Sequence, residues 1–251
     1  MKTTRIMILV SAIALFTVGA AVAQEATIQI IHNSPDAAAT TVDIYVNAGA
    51  DPAVPDLAFR AATGLITLPA DTDLVVGIAP GNSAGPEDVI ANWTFNLPSG
   101  SMTVVMASGL LGDDFDLITN ALETGGASDM VGVLAFHGAP DAPAVDVGAD
   151  GVGTLISNLE YQTFQGYLYV PAADYVLTIA PIDGEIIAGF DAPLSGLGGG
   201  AAVVFASGFL GMEPSFGLYA ALTDGTVIPL TPNGSVSTEE VSLGTVKALY
   251  R

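Results

Sequence analysis

The chain reads His32-Asn33-Ser34-Pro35-Asp36-Ala37 near its start and His137-Gly138-Ala139-Pro140-Asp141-Ala142 near its middle, and this recurrence decides how the rest is organised. Working outward, the landmarks repeat in order. Val42-Asp43-Ile44 answers to Val145-Asp146-Val147, Leu68-Pro69-Ala70 to Val170-Pro171-Ala172, and Ile78-Ala79-Pro80 to Ile179-Ala180-Pro181. Later, Ala107-Ser108-Gly109-Leu110-Leu111-Gly112 pairs with Ala206-Ser207-Gly208-Phe209-Leu210-Gly211, and Ala121-Leu122 with Ala221-Leu222. Ordered matches over about 100 residues describe two copies of one unit. The second copy has Gly148 where the first has Tyr45, and it lacks a comparable form of segment 47–59, so the copies present different loops.

Within each copy the apolar residues alternate. Ile28, Ile30 and His32 share one face of a strand, as do Val42, Ile44 and Val46, and Leu74, Val76 and Ile78; Trp93 sits among Ala91, Phe95 and Leu97 on another. Period two of this kind marks half-buried strands. Asp183-Gly184 and Asp224-Gly225 are hairpin-type turns, and no stretch after residue 23 sustains a helical period. The expected fold is therefore all-β: two tandem immunoglobulin-like antiparallel β-sandwich modules, with a small barrel as the alternative. The modules span residues 25–124 and 129–231, joined by a short flexible hinge at 123–128.

Met1-Lys2-Thr3-Thr4-Arg5, an apolar run from Ile6 to Val18, and Ala21-Val22-Ala23 have the layout of a signal peptide cleaved after Ala23. Export to the periplasm, medium or cell surface is expected, with no membrane span once residues 1–23 are removed. Residues 232–251 form a polar tail or linker, similar to the linker that precedes the C-terminal sorting domain of type IX-secreted proteins.

The chain carries 26 Asp and Glu against 5 Lys and Arg, two of them in the expected signal peptide, and has no cysteine. Such a field repels phosphate backbones and anionic headgroups, so nucleic-acid partners are not expected, whereas protein and glycan partners remain open. The absence of cysteine removes disulfides, thiolate metal sites and cysteine nucleophiles. An acidic, lysine-poor surface fits either a saline habitat or carboxylates displayed to divalent cations.

The repeated His-x-x-Pro-Asp-Ala with Val-Asp-(Ile/Val), the central (Leu/Val)-Pro-Ala, and the late Ala-Ser-Gly-(Leu/Phe)-Leu-Gly followed by Leu218-Tyr219-Ala220-Ala221-Leu222-Thr223-Asp224-Gly225 resemble the bacterial domain of unknown function 4397 family. The resemblance covers both modules. It implies an exported or surface protein with tandem domains, and it supplies no catalytic residues.

Two site chemistries are open on the residues. His32 with Asp36 and Asp43, and His137 with Asp141 and Asp146, pair imidazole with carboxylate as a Zn, Mn or Fe site would; the competing reading makes the histidines and aspartates turn-fixing groups. Asp113, Asp114 and Asp116 form the best calcium loop, although no EF-hand or Gly-Asp repeat is present. Gly81-Asn82-Ser83-Ala84-Gly85 mimics a nucleophile elbow and Gly196–Ala201 a dinucleotide fingerprint, but neither has the following helix its chemistry needs. Trp93 reads as core, while Tyr161, Phe164, Tyr167, Tyr169 and Tyr175 form a candidate binding face. No cofactor is expected; calcium alone is left open by the residues. The function expected is a non-catalytic adhesion, structural or accessory binding role, with a metal-assisted hydrolase as the alternative.

Overall fold

The computed structural model describes residues 24–182 and 184–234; the expected signal peptide, and the tail beyond residue 234, lie outside the described residues. The first module pairs an inner sheet with an outer one. The inner sheet runs in the order β4 (Ile66–Pro69), β1 (Glu25–Asn33), β7 (Met102–Ser108), β8 (Asp116–Ala121). The outer sheet runs β3 (Val54–Ala58), β2 (Thr41–Val46), β5 (Asp73–Pro80), β6 (Ala91–Asn96).

The second module repeats the plan with extra edge strands. Its inner sheet is β12 (Phe164–Pro171), β9 (Met130–Gly138), β15 (Ala201–Ser207), β16 (Gly217–Leu222), β17 (Val227–Pro229). Its outer sheet is β11 (Gly153–Leu159), β10 (Val145–Ala149), β13 (Asp174–Pro181), β14 (Ala188–Pro193), β18 (Thr231–Pro232). Helix among the described residues is limited to short 3-10 turns such as Ala37–Ala39, which Asp36 caps by accepting the Ala38 N–H at 2.7 Å.

The all-β sandwich architecture agrees with the alternation in the sequence, with two differences. The first is strand direction: β1 runs parallel to β7 and β9 parallel to β15, so the modules are not purely antiparallel. The second is burial. Ile28 and Ile30 face the outer sheet of their own module, in a core with Val42, Ile44, Leu74 and Val105. Ile31, Val104 and Met106, on the opposite face of the same strands, pack against Leu134, Phe136, Val203 and Phe205 of the second module. The four sheets thus stack as outer, inner, inner, outer, and β1, β7, β9 and β15 are covered on both faces. Strands of that kind read as unbroken apolar runs, which is what Val104-Val105-Met106-Ala107 and Ala201-Ala202-Val203-Val204-Phe205 are.

The central layer makes the expected hinge a fixed connection. Gly126 donates its N–H to Gly199 O at 3.3 Å and Glu123 donates its N–H to Tyr167 Oη at 2.9 Å, while apolar side chains lock the two inner sheets together. Each large apolar side chain removed from water there contributes roughly 1.5–3 kcal/mol before ordering costs.

The repeat is also a spatial one. Arg60 donates its N–H to His32 O at 2.7 Å and Gln162 donates its N–H to His137 O at 2.7 Å, so Arg60 and Gln162 are counterparts. Each crosses to the other module. Arg60 donates from Nε to Ser207 Oγ at 3.0 Å and from Nη2 to Ser215 O at 2.6 Å, and Gln162 donates from Nε2 to Asp114 O at 2.9 Å. A β-carbon on Gly208 would strike Arg60 Nη2, and one on its counterpart Gly109 would strike Gln162 Nε2. Reciprocal contacts between equivalent residues define an approximate two-fold axis, the arrangement of an isologous dimer carried on one chain.

Candidate functional site

The histidines hold loops. His32, fully buried, donates from Nε2 to Ala39 O at 2.6 Å, and its Nδ1 accepts the Ser34 N–H at 3.4 Å. His137 repeats the geometry: Nε2 to Pro143 O at 2.9 Å, and Nδ1 accepting the Ala139 N–H at 3.4 Å. This bonding assigns the proton to Nε2 in both rings. Burial pushes both imidazoles below their ordinary pKa, against the smaller opposing effect of the carbonyls they serve, so both are neutral near pH 7. Phe59 meets the His32 ring edge-on and Tyr161 meets His137 likewise.

The candidate carboxylates are placed on the same principle. Asp36 accepts the N–H of Ala38 at 2.7 Å and of Leu111 at 2.9 Å; Asp141 accepts those of Leu210 at 2.7 Å and Gly211 at 3.2 Å. Each therefore ties the His-x-x-Pro-Asp turn to the Ser-Gly-(Leu/Phe)-Leu loop at the end of the inner sheet. Asp43 Oδ1 accepts the Asp56 N–H at 2.8 Å and Asp146 Oδ1 accepts the Asn158 N–H at 2.8 Å. The two donors, Asp56 and Asn158, both sit in the left-handed region, at φ 51° and 54°, a conformation that short polar residues tolerate.

The acidic loop divides its side chains. Asp114 Oδ1 accepts the Leu110 N–H at 2.8 Å, Asp116 Oδ1 accepts Trp93 Nε1–H at 2.7 Å, and Asp113 is exposed. Trp93 is half-buried against the core and lies 5.6 Å from the Phe115 ring. Among the described residues, no three His, Asp or Glu side chains gather as a metal ion would require.

The tyrosines do not form one face. Tyr161 lies at the module boundary, where burial first, and then the hydrogen bond and charge of Asp114, push its phenol well above the ordinary value. Tyr167 and Tyr169 both engage Glu123, Phe164 packs tilted against Phe136, and Tyr175 donates to Pro171 O at 2.9 Å. Arg60, which the sequence reading missed, bridges the two modules: its guanidinium lies 4.6 Å from the Phe59 ring and 4.5 Å from the Tyr219 ring. The signal for it was composition, since an isolated Arg in so acidic a chain has a specific partner to find.

The outer faces differ between modules. In the first, residues 81–90 fold over the outer sheet, and Ser83 donates its hydroxyl to Asp43 Oδ2 at 2.5 Å while pairing with Tyr45 Oη at 2.8 Å. Ser83 of the elbow-like motif is thus a loop fastener, followed by the 3-10 turn Pro86–Asp88. Asp43 and Tyr45 are buried beneath it. In the second module the β13–β14 connection is shorter, and a groove of about 410 Å³ opens over Asp146, Gly148, Thr154 and Thr178.

These features define an all-β, two-module sandwich protein whose polar side chains are largely occupied in fastening loops. Residues 131–195, most of the second module, match the family described as Domain of unknown function (DUF4397). No curated protein matches the chain. No helix among the described residues is long and apolar enough to cross a membrane.

Proposed function

We propose that this is an exported, non-catalytic binding or adhesion protein of the cell surface or its surroundings, in which a rigid pair of sandwiches displays acidic outer faces. The observation that supports this reading is the engagement of both histidines. Each imidazole has both nitrogens occupied by the backbone of its own loop, which leaves neither a free lone pair for a metal nor a mobile base for acid–base chemistry. The acidic composition supports display, because such a surface stays soluble and selects cationic or neutral partners.

The test joins location to chemistry. Fractionation of expressing cells, with N-terminal sequencing of the exported species, should find a chain beginning at Gln24 and accessible to protease added outside. The purified protein should melt at the same temperature in EDTA, calcium and zinc and contain no stoichiometric metal. A cytoplasmic chain would sink the exported reading, and a tightly held metal whose removal lowers the melting temperature would return the metal-assisted hydrolase.

A further inference from the structure

The two modules carry the same carboxylate on the middle strand of their outer sheets, and among the described residues only Asp43 is capped on both oxygens. Asp43 receives three donors: Asp56 N–H on Oδ1, and the Ser83 N–H at 3.3 Å and hydroxyl at 2.5 Å on Oδ2. Its counterpart Asp146 keeps only the first of these, the Asn158 N–H on Oδ1. Asp146 Oδ2 meets no donor among the described residues. The space that the longer loop and Tyr45 fill in the first module is, in the second, the groove of about 410 Å³. Its walls include the hydroxyl-bearing Thr154 and Thr178, a second carboxylate on the exposed Asp150, and the apolar side chain of Ile186.

Charge then selects the missing donor. Among the described residues Arg60 is the one Lys or Arg side chain, and it is held at the module boundary between Phe59 and Tyr219, with its N–H groups directed to Ser207 and Ser215. It serves neither Asp146 nor Asp150. An N–H donor carrying positive charge would replace the Ser83 hydrogen bonds and offset both carboxylates, while its methylene stem lies along Ile186 and the glycine floor.

We propose that this groove is a docking site for a lysine or arginine side chain presented by a basic segment of a partner polypeptide, received on Asp146 Oδ2. The inference rests on the binding role given above and specifies its surface and the chemistry of its partner.

The full chain is titrated into a fluorescein-labelled peptide of alternating lysine and glycine, followed by anisotropy, with a glutamine-for-lysine peptide as comparison. Asp146→Asn keeps an oxygen for the Asn158 N–H, so the fold survives, and Glu87→Gln removes the same charge from an exposed position on the first module. The expected result is binding of the lysine peptide only, weakened roughly tenfold by Asp146→Asn and left within about twofold by Glu87→Gln. Equal losses in both variants would reduce the effect to diffuse charge and overturn the site. So would no binding of the lysine peptide, or Asp146-dependent calcium binding without it. Failure here with an exported, metal-free protein leaves the binding role standing on another surface; failure of export or the presence of a resident metal strikes the role itself.

Discussion

The side-chain amide of Asn33 lies against Gly138, its own counterpart in the repeat, and donates from Nδ2 to Ala206 O at 3.0 Å. Two equivalent residues touch each other only on a symmetry axis, so this pair marks where the axis crosses the inner sheets. The axis has room for one side chain. Gly138→Asn should destabilise by about 1–3 kcal/mol through overpacking, and adding Asn33→Gly should recover part of that loss. Urea denaturation of both single variants and the double variant checks this; a double variant no better than Gly138→Asn would remove the pairing.

Arg60→Ala removes the hydrogen bonds to Ser207 and Ser215 and the contact with two aromatic faces, and it should cost about 3 kcal/mol in chemical denaturation. Arg60→Lys should regain little, because a single ammonium cannot reproduce the planar fork between the rings. Full recovery by lysine would mean that charge alone matters there.

Acid should unfold the protein through its histidines. Both have native pKa values lowered from 6.5, so the unfolded chain takes up protons first as pH falls. Their share of stability is complete above about pH 6.5 and declines below it, until the lowered native values are reached. With two such groups the slope approaches about 2.7 kcal/mol per pH unit. Denaturation at stepped pH gives the slope, and nitrogen NMR should show both neutral rings protonated on Nε2 and both titrating below the ordinary imidazole value. A ring that titrates at or above the ordinary value would contradict the burial argument.

Residues 24–124 and 129–234, expressed separately, each expose the inner face that carries Ile31, Val104 and Met106 or Leu134, Phe136 and Phe205. Each half alone should self-associate or aggregate, and the two produced together should form a one-to-one complex by light scattering. Two monodisperse, folded monomers would show the central layer to be dispensable.

The strands were legible because alternation is a local property: Ile28 and Ile30, or Val42 and Ile44, declare their inward face without reference to anything distant. The central layer was not, because the same alternation leaves Ile31 or Leu134 looking like the exposed half of its strand, and only the unbroken run Val104-Val105-Met106 hinted that a second face was covered. The parallel pairing of β1 with β7 escaped for a related reason, since it depends on the route between sheets rather than on either strand. His32 and His137 stood out by their repeat positions, but their bonds go to backbone atoms that sequence does not distinguish. The groove over Asp146 was half visible, in the replacement of Tyr45 by Gly148 and the shorter loop.

Carrying both halves of a two-fold assembly on one polypeptide changes how that assembly answers to dilution. Two separate subunits held by the contacts of Ile31, Met106, Phe136 and Phe205 would part as they became scarce. Here the short 123–128 connection keeps each half at the other's effective concentration, of millimolar order for short linkers, however few molecules surround them. The pairing is therefore a property of the single molecule, fixed at one to one.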